Sequence, residues 1–130
     1  MIDFYLDTRS GIAPYLQLVQ QVRRAVKLGL LHEGDQLPTV KDVVARIAIN
    51  PNTVSKAYRE LEHEGLVTAR AGVGTFVAAG LDDDAVAAQR PLRHELRRWL
   101  AKARSAGLDD ESIEALFRES FRDGAAAKVT

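Results

Sequence analysis

The stretch that decides the fold is residues 49–61, INPNTVSKAYREL, followed at residues 64–67 by EGLV. Asn50 is a favoured N-cap, and Pro51 suits the first helical position, where its missing N–H has no intrahelical partner. At about 100° per residue, the apolar residues of this helix fall in one arc, and its hydrogen-bonding and cationic residues fall opposite. The apolar arc holds Val54, Ala57, Tyr58 and Leu61, and the outer arc holds Asn52, Lys56 and Arg59 with Ser55 beside it. Since the helix dipole also favours an anion at this N-terminus, the pattern predicts a recognition helix for the major groove of DNA.

Two helices are predicted before this one. Pro14 opens the first, and its apolar residues recur at helical spacing until about residues 28–31. Thr39 with Asp42 three residues on resembles a capping box and opens a second, short helix, and residues 48–49 link it to Asn50. Three helices with so short a link between the last two predict a helix-turn-helix. Residues 2–6 alternate weakly, which predicts a short strand at the start of the chain.

A β-hairpin is predicted after the third helix, which Gly65 ends. Residues 66–70 and 75–78 read as strands, and Gly72 and Gly74 lie in the connection between them. Glycine lets the backbone turn with positive φ and approach another surface closely. The predicted fold is therefore mainly α with a small β-hairpin wing (α+β): a winged helix-turn-helix domain over residues 1–79, followed by a short helical tail over residues 80–130.

The tail is predicted to be a helical hairpin. Residues 80–90 form a soft boundary, in which the acidic run at 82–84 is expected to be a solvated linker. The first helix either begins near Pro91 or begins at Asp84 and is kinked at Pro91. Gly107 ends it, and Asp109 or Asp110 caps the second helix.

The tail carries two apolar stripes that exceed what two short helices bury alone, so a partner chain is expected to cover them. An aromatic ligand box is the less favoured alternative. The predicted dimerisation residues are Leu92, Leu96, Trp99 and Leu100 on the first helix, and Ile113, Leu116, Phe117 and Phe121 on the second.

Composition excludes several classes of function. The 130 residues have a net charge of zero, with nine Lys+Arg against eight Asp+Glu in residues 1–78 and nine against ten afterwards, so a DNA site must be a local patch. There is no cysteine, and His32, His63 and His94 lie far apart, so neither a metal site nor a cofactor is predicted. No residue pattern supports an enzyme. The N-terminus does not resemble a signal peptide and no stretch is long and apolar enough for a membrane span, so we expect a cytoplasmic protein.

Four motifs in sequence order resemble the GntR family of bacterial transcription regulators: LPTVKDV at 37–43, NPNTV at 50–54, EGLV at 64–67 and GVGTFV at 72–77. The PYLQ opening at 14–17 and the short two-helix tail are similar to its YtrA-type subfamily, in which the tail serves dimerisation. The family more often has Ser and Arg where Thr39 and Lys41 stand, and other branches often have Arg at Pro51. Lys41 lacks the bidentate fork of Arg, and the operators of those branches do not carry over.

The resemblance implies DNA contacts at the second helix, the recognition helix and the wing. The full set of predicted DNA-binding residues, with Asn50 and Arg59 added from the helix pattern, is Thr39, Lys41, Asn50, Asn52, Thr53, Ser55, Lys56, Arg59, Arg70, Gly72 and Gly74. Arg59 either reaches phosphate or pairs with Glu60 or Glu62.

These observations predict a homodimeric, sequence-specific regulator that binds a palindromic operator in double-stranded DNA. The resemblance further implies a repressor of an operon for an ABC transporter that includes its own gene. No small-molecule effector is identified by the sequence. The alternative is a winged-helix protein-interaction module that does not bind DNA.

Overall fold

The computed structural model describes residues 2–78, 80 and 82–129. Residue 79, the predicted end of the first domain, lies outside the described residues. The chain forms two compact units, Met1–Gln89 and Arg90–Thr130. The elements in chain order are α1 (Pro14–Lys27), α2 (Val40–Ile47), α3 (Pro51–His63), β1 (Val67–Arg70), β2 (Gly74–Val77), α4 (Asp83–Ser105) and α5 (Asp110–Val129). Among the described residues, no helix is long and apolar enough to span a membrane.

The first unit is built around the packing of α1 on α3. Leu18 and Val22 of α1 and Val54 and Leu61 of α3 are completely buried. Each such side chain contributes about 1.5–3 kcal/mol by leaving water. The apolar stripes predicted from helical spacing are therefore the core, and they fix which face of α3 remains outside.

The helix-turn-helix is set by local capping. The Thr39 hydroxyl accepts a hydrogen bond from the Asp42 N–H at 3.1 Å, and the Asp42 carboxylate accepts one from the Thr39 N–H at 3.3 Å, which completes the predicted capping box. Ala48 turns the chain out of α2 with a left-handed φ of 48°. The Asn50 side chain then accepts from the Asn52 N–H at 2.8 Å, and Pro51 takes the first helical position, as predicted.

The wing is an antiparallel hairpin that pairs Val67 with Val77 and Arg70 with Gly74. Both strands match the predicted segments to within one residue. Backbone hydrogen bonds from residues 34–37 continue the sheet along the other edge of β2: the Leu37 N–H donates to Thr75 and the Val77 N–H donates to Asp35, both at 2.8 Å. This third segment was not predicted from the sequence. It fixes the hairpin to the residues that lead into α2.

The predicted strand at residues 2–6 is wrong, because side chains take the place of a neighbouring strand. The Gln21 amide accepts from the Tyr5 N–H at 3.1 Å and donates to the Tyr5 carbonyl at 2.8 Å. Gln17 binds the Asp7 N–H and carbonyl in the same way, at 2.8 and 3.0 Å. Two buried glutamines of α1 thus clamp the backbone of the N-terminal segment to that helix.

Replacing Gln17 by leucine is expected to destabilise the fold by about 1–3 kcal/mol, because polar groups around residues 7–12 lose their partner. The Gln17 side chain is 7% exposed and also donates to the Ser10 hydroxyl and the Ile12 carbonyl. Urea unfolding at fixed protein concentration measures the loss. Gln20→Leu, one position outside the clamp on the same helix, should change stability by less than about 0.5 kcal/mol. Equal losses for the two variants would contradict the role of the clamp.

The second unit is a helical hairpin. Ala103 and Ile113 are buried between its helices, and the rings of Trp99 and Phe117 lie 5.1 Å apart at 49°. Of the two predicted caps, Asp109 is the one used. Hydrogen bonds from the side chain and the N–H of Ser112, the latter at 2.8 Å, lower the pKa of this carboxyl.

The acidic run was expected to be a linker, and this is wrong. Asp82 accepts a hydrogen bond from the Ala85 N–H at 2.7 Å, and Asp83 and Asp84 form the first turn of α4. Carboxylates stabilise a helix N-terminus through its exposed N–H groups and dipole. The helix begins at Asp83 with Pro91 inside it, which agrees to within one residue with the predicted start at Asp84. The alternative start near Pro91 is wrong.

Candidate DNA-binding surface

The exposed face of α3 is the one predicted from helical spacing. Val54, Ala57, Tyr58 and Leu61 are buried against the core. Asn52, Lys56 and Arg59 are exposed, and Thr53 and Ser55 are half-buried at the margin. This face combines amide, hydroxyl and cationic groups within the first turns of a helix whose N-terminus is open.

Two cations on this face have different surroundings. The Lys56 ammonium lies over the ring of Tyr15 in α1, 3.9 Å from its centroid. Within the described residues, no hydrogen bond or ion pair joins Arg59 to Glu60 or Glu62. Both charges are thus exposed, and neither forms an ion pair within the described residues.

The start of α2 is tied to α3 by one buried hydrogen bond. The Tyr58 hydroxyl donates to the Pro38 carbonyl at 2.6 Å, and burial raises the pKa of Tyr58. Pro38 immediately precedes Thr39, and the side chains of Thr39 and Lys41 are exposed. The hydroxyl of a core residue therefore sets the position of the α2 N-terminus relative to the recognition helix.

The wing presents Arg70 and two glycines of different character. The Arg70 guanidinium lies 4.8 Å from the centroid of the Phe76 ring. Gly72 has a φ of +74° in open space, as a turn at the tip of a hairpin requires. Gly74 has a φ of +145°, and a Cβ there would lie 2.5 Å from the Gln36 side-chain nitrogen. A side chain at Gly74 would therefore collide with Gln36 of the same chain, which accounts for the glycine. Gly72 has open space around it at the tip of the hairpin.

The predicted DNA-binding residues all lie in the first unit, on the start of α2, the exposed part of α3 and the hairpin. Sequence reasoning missed two supporting residues, Tyr15 and the Pro38 carbonyl acceptor of Tyr58. Tyr15 was read as part of an apolar stripe, and its place under Lys56 depends on how α1 packs on α3. In the described part of the chain, no cluster of His, Asp and Glu is arranged to hold a metal ion.

The predicted dimerisation residues are mostly exposed in the single chain. Leu92, Leu96, Trp99, Leu116 and Phe121 are 64, 45, 37, 39 and 80% exposed. Leu100 and Phe117 are half-buried, whereas Ile113 is only 5% exposed and belongs to the interior of the hairpin. Seven of the eight residues therefore retain some accessible surface on the second unit.

Comparisons with known proteins agree with this architecture. The model of the gntR family of bacterial regulatory proteins matches residues 14–77, from the first residue of α1 to the last of β2. The HTH-type transcriptional repressor YtrA of Bacillus subtilis strain 168 is 33% identical over 119 residues, which cover 91% of this chain and 92% of that protein.

Two solved structures show the same fold. The crystal structure of a transcriptional antiterminator from Listeria monocytogenes EGD-e is similar with a TM-score of 0.59 and 32% identity, over 94% of this chain and 92% of that one. AraR(DBD), solved in complex with operator ORX1, is similar with a TM-score of 0.51 and 23% identity, over 58% of this chain and 93% of that one. At that identity the second likeness concerns the fold alone.

The family match covers all the elements of the winged helix-turn-helix, and the similarity to YtrA extends through most of the chain, including the two-helix tail. These findings favour DNA binding over the alternative of a protein-interaction module. The chain belongs to the GntR family of bacterial regulatory proteins, in its YtrA-type branch, and is a DNA-binding transcription regulator.

Proposed function

We propose that the chain is a homodimeric repressor that binds a palindromic operator, with one α3 helix in the major groove of each half-site. The observation that carries this proposal is the exposed N-terminal face of α3, where Asn52 and Lys56 stand opposite a buried apolar face. A helix held in this way can lay its polar side against base edges while the core keeps it rigid.

The proposed contacts divide into base reading and backbone binding. Asn52 is the candidate for a base, because its amide can donate to and accept from a single adenine. Lys56 and Arg59 meet phosphates, and Arg70 with the Gly72 tip reaches phosphate or the minor groove. The supporting contacts come from Thr39, Lys41, Asn50, Thr53, Ser55 and Gly74. The Asn50 and Thr39 side chains are engaged in caps, so these residues act by fixing helix N-termini that face the DNA.

The tail is proposed to hold the dimer, with residues 1–79 as the DNA-binding part and 80–130 as the dimerisation part. Its exposed apolar side chains are grouped on one hairpin, which is unusual for a surface left in water. The charges of its two helices are also complementary: residues 90–105 carry six Lys+Arg and one Glu, whereas residues 110–123 carry five Asp+Glu and two Arg. A two-fold arrangement that sets α4 of one chain beside α5 of the other would cover the apolar surface and pair these charges.

A relative supports the sign of regulation, because YtrA of Bacillus subtilis is a transcriptional repressor. The target is what the resemblance to YtrA-type regulators implies: an operon for an ABC transporter that includes the regulator gene. We therefore infer autoregulated repression of such an operon in the cytoplasm, where the DNA lies.

Base-resolution footprinting on the DNA upstream of its own gene tests this proposal. We expect a protected region with two-fold symmetry, and transcription from that promoter should fall as the protein is added. Protection without symmetry would contradict a dimer on a palindrome, and symmetric protection with increased transcription would contradict repression.

Lys56→Ala is expected to weaken operator binding and to lower the slope of log affinity against log salt by about one, because one phosphate contact is lost. Fluorescence anisotropy across a salt series measures both quantities. Arg46→Ala removes an equal charge from the first unit away from the candidate DNA-binding surface, where Arg46 is bound to Asp3 at 2.6 Å, and should leave both unchanged. If the two variants have the same slope as the parent, Lys56 does not contact phosphate.

A further inference from the structure

Four cations of the first unit contact either a carboxylate or an aromatic ring. Away from the candidate DNA surface, arginines pair with carboxylates: Arg23 with Glu64, and Arg46 with Asp3 at 2.6 Å. On that surface, Lys56 and Arg70 lie over aromatic rings instead, at 3.9 Å over Tyr15 and 4.8 Å over Phe76. The same arrangement thus occurs twice, once on the recognition helix and once on the wing.

An aromatic ring and a carboxylate affect a cation differently. A carboxylate neutralises the charge and occupies the N–H donors, so a phosphate would have to displace it. A ring attracts the cation through its quadrupole at these distances, yet it carries no net charge and takes only one side of the cationic group. The remaining donors and the full positive charge stay available to a phosphate.

The rings are themselves held in place. Tyr15 is the second residue of α1, half-buried against the core, and the first turn of α1 contains no acidic residue that would compete for Lys56. Phe76 lies on β2, two residues beyond Gly74, which is the cross-strand partner of Arg70. Diagonal neighbours on one face of a hairpin are within reach of long side chains, and Gly74 places no side chain between them. Phe76 is also half-buried, so each ring supports a long side chain from a position within the folded unit.

We propose that Tyr15 and Phe76 are positioning residues for DNA binding, which hold the Lys56 ammonium and the Arg70 guanidinium ready for phosphate without neutralising them. A long side chain that is already ordered in the free protein loses less conformational entropy when it binds. This strengthens binding by about threefold to tenfold for each residue. This inference rests on the proposed contacts of Lys56 and Arg70 with DNA.

A double-mutant cycle in the full chain tests the pair of Tyr15 and Lys56. Affinity is measured for an operator duplex, taken from the protected promoter region or selected from random sequence. The variants are Tyr15→Phe, Tyr15→Leu, Lys56→Ala and the two double variants that combine each Tyr15 change with Lys56→Ala. We expect Tyr15→Phe to bind within about twofold of the parent, since the ring face is retained. Tyr15→Leu should bind about threefold to tenfold more weakly, and it should have no further effect once Lys56 is alanine.

The outcomes separate the inference from the proposed function. If Lys56→Ala binds like the parent, the proposed phosphate contact fails. If Lys56→Ala weakens binding but Tyr15→Leu weakens it equally in both backgrounds, the contact stands and the positioning role is overturned. A loss in Tyr15→Phe that persists without Lys56 would also overturn it, because the tyrosine hydroxyl would then bind DNA itself. The matching cycle of Phe76→Leu with Arg70→Ala tests the wing.

A further measurement uses the unmodified protein, so its result does not depend on whether a variant folds. The ε-methylene protons of Lys56, observed by NMR in the free dimer, should be shifted upfield by the Tyr15 ring current. Values typical of a solvent-exposed lysine would overturn the proposal. The Arg70 δ-methylene protons over Phe76 should behave in the same way.

Discussion

The double variant Leu92→Glu/Phe121→Glu is expected to be a monomer and to bind the operator about 10²- to 10⁴-fold more weakly than the parent. The reason is that the affinity gained by linking two DNA-binding domains is lost. Leu92 and Phe121 are 64 and 80% exposed in the single chain, so glutamate at these positions leaves the α4–α5 hairpin intact. A charge buried in a subunit interface without a partner, by contrast, opposes association strongly.

Analytical ultracentrifugation at micromolar concentration gives the mass, and anisotropy with full and half operators gives the affinities. The control is Leu30→Glu in the first unit, where an exposed leucine (52%) should tolerate the same change without effect. A double variant that still sediments as a dimer would show that the tail is not the interface.

Asn52→Ala is expected to lose discrimination at one base pair of each half-site, with a cost of about 1–3 kcal/mol on the operator if the amide contact is bidentate. Asn52 is exposed at the second position of α3, so its side chain is available to a base. Its backbone N–H donates to the Asn50 side chain, which holds the residue at the helix start. The fold should be unchanged, since no buried contact is removed. Asn50→Ala serves as the contrast: it removes the cap, destabilises the helix start by about 1 kcal/mol and should weaken all DNA sequences alike.

The sequence predicted the first unit well because its signals are local. Capping residues, helical spacing and glycine positions fixed three helices and a hairpin, and the face of α3 followed from the positions of Val54 and Leu61. The start of α4 was left open between Asp84 and Pro91 because Asp82 and Asp83 were read as a charged linker, although carboxylates in that position are also a helix start signal. The third segment of the wing sheet and the Gln21 clamp were missed because each depends on residues far apart in sequence.

In the candidate DNA-binding surface, too, local features could be predicted and long-range contacts could not. The exposed positions Asn52, Lys56 and Arg70 could be predicted from pattern and resemblance. What lies against them could not, because the Tyr15 ring under Lys56 and the Tyr58 hydrogen bond to Pro38 exist only once α1, α2 and α3 are packed. Helical spacing shows which face a side chain occupies, and packing decides its neighbours.

The central claim, that α3 reads base sequence as one half of a symmetric dimer, is tested most directly by selecting bound duplexes from a random DNA library and sequencing them, in parallel for the parent and Asn52→Ala. For the parent we expect a two-fold symmetric consensus with half-sites about one or two helical turns apart. For Asn52→Ala we expect the same consensus with one base pair of each half-site no longer specified. The same consensus for both proteins, with every position equally specified, would contradict the assignment of α3 as the reading helix, and the absence of any enriched sequence would contradict sequence-specific binding itself.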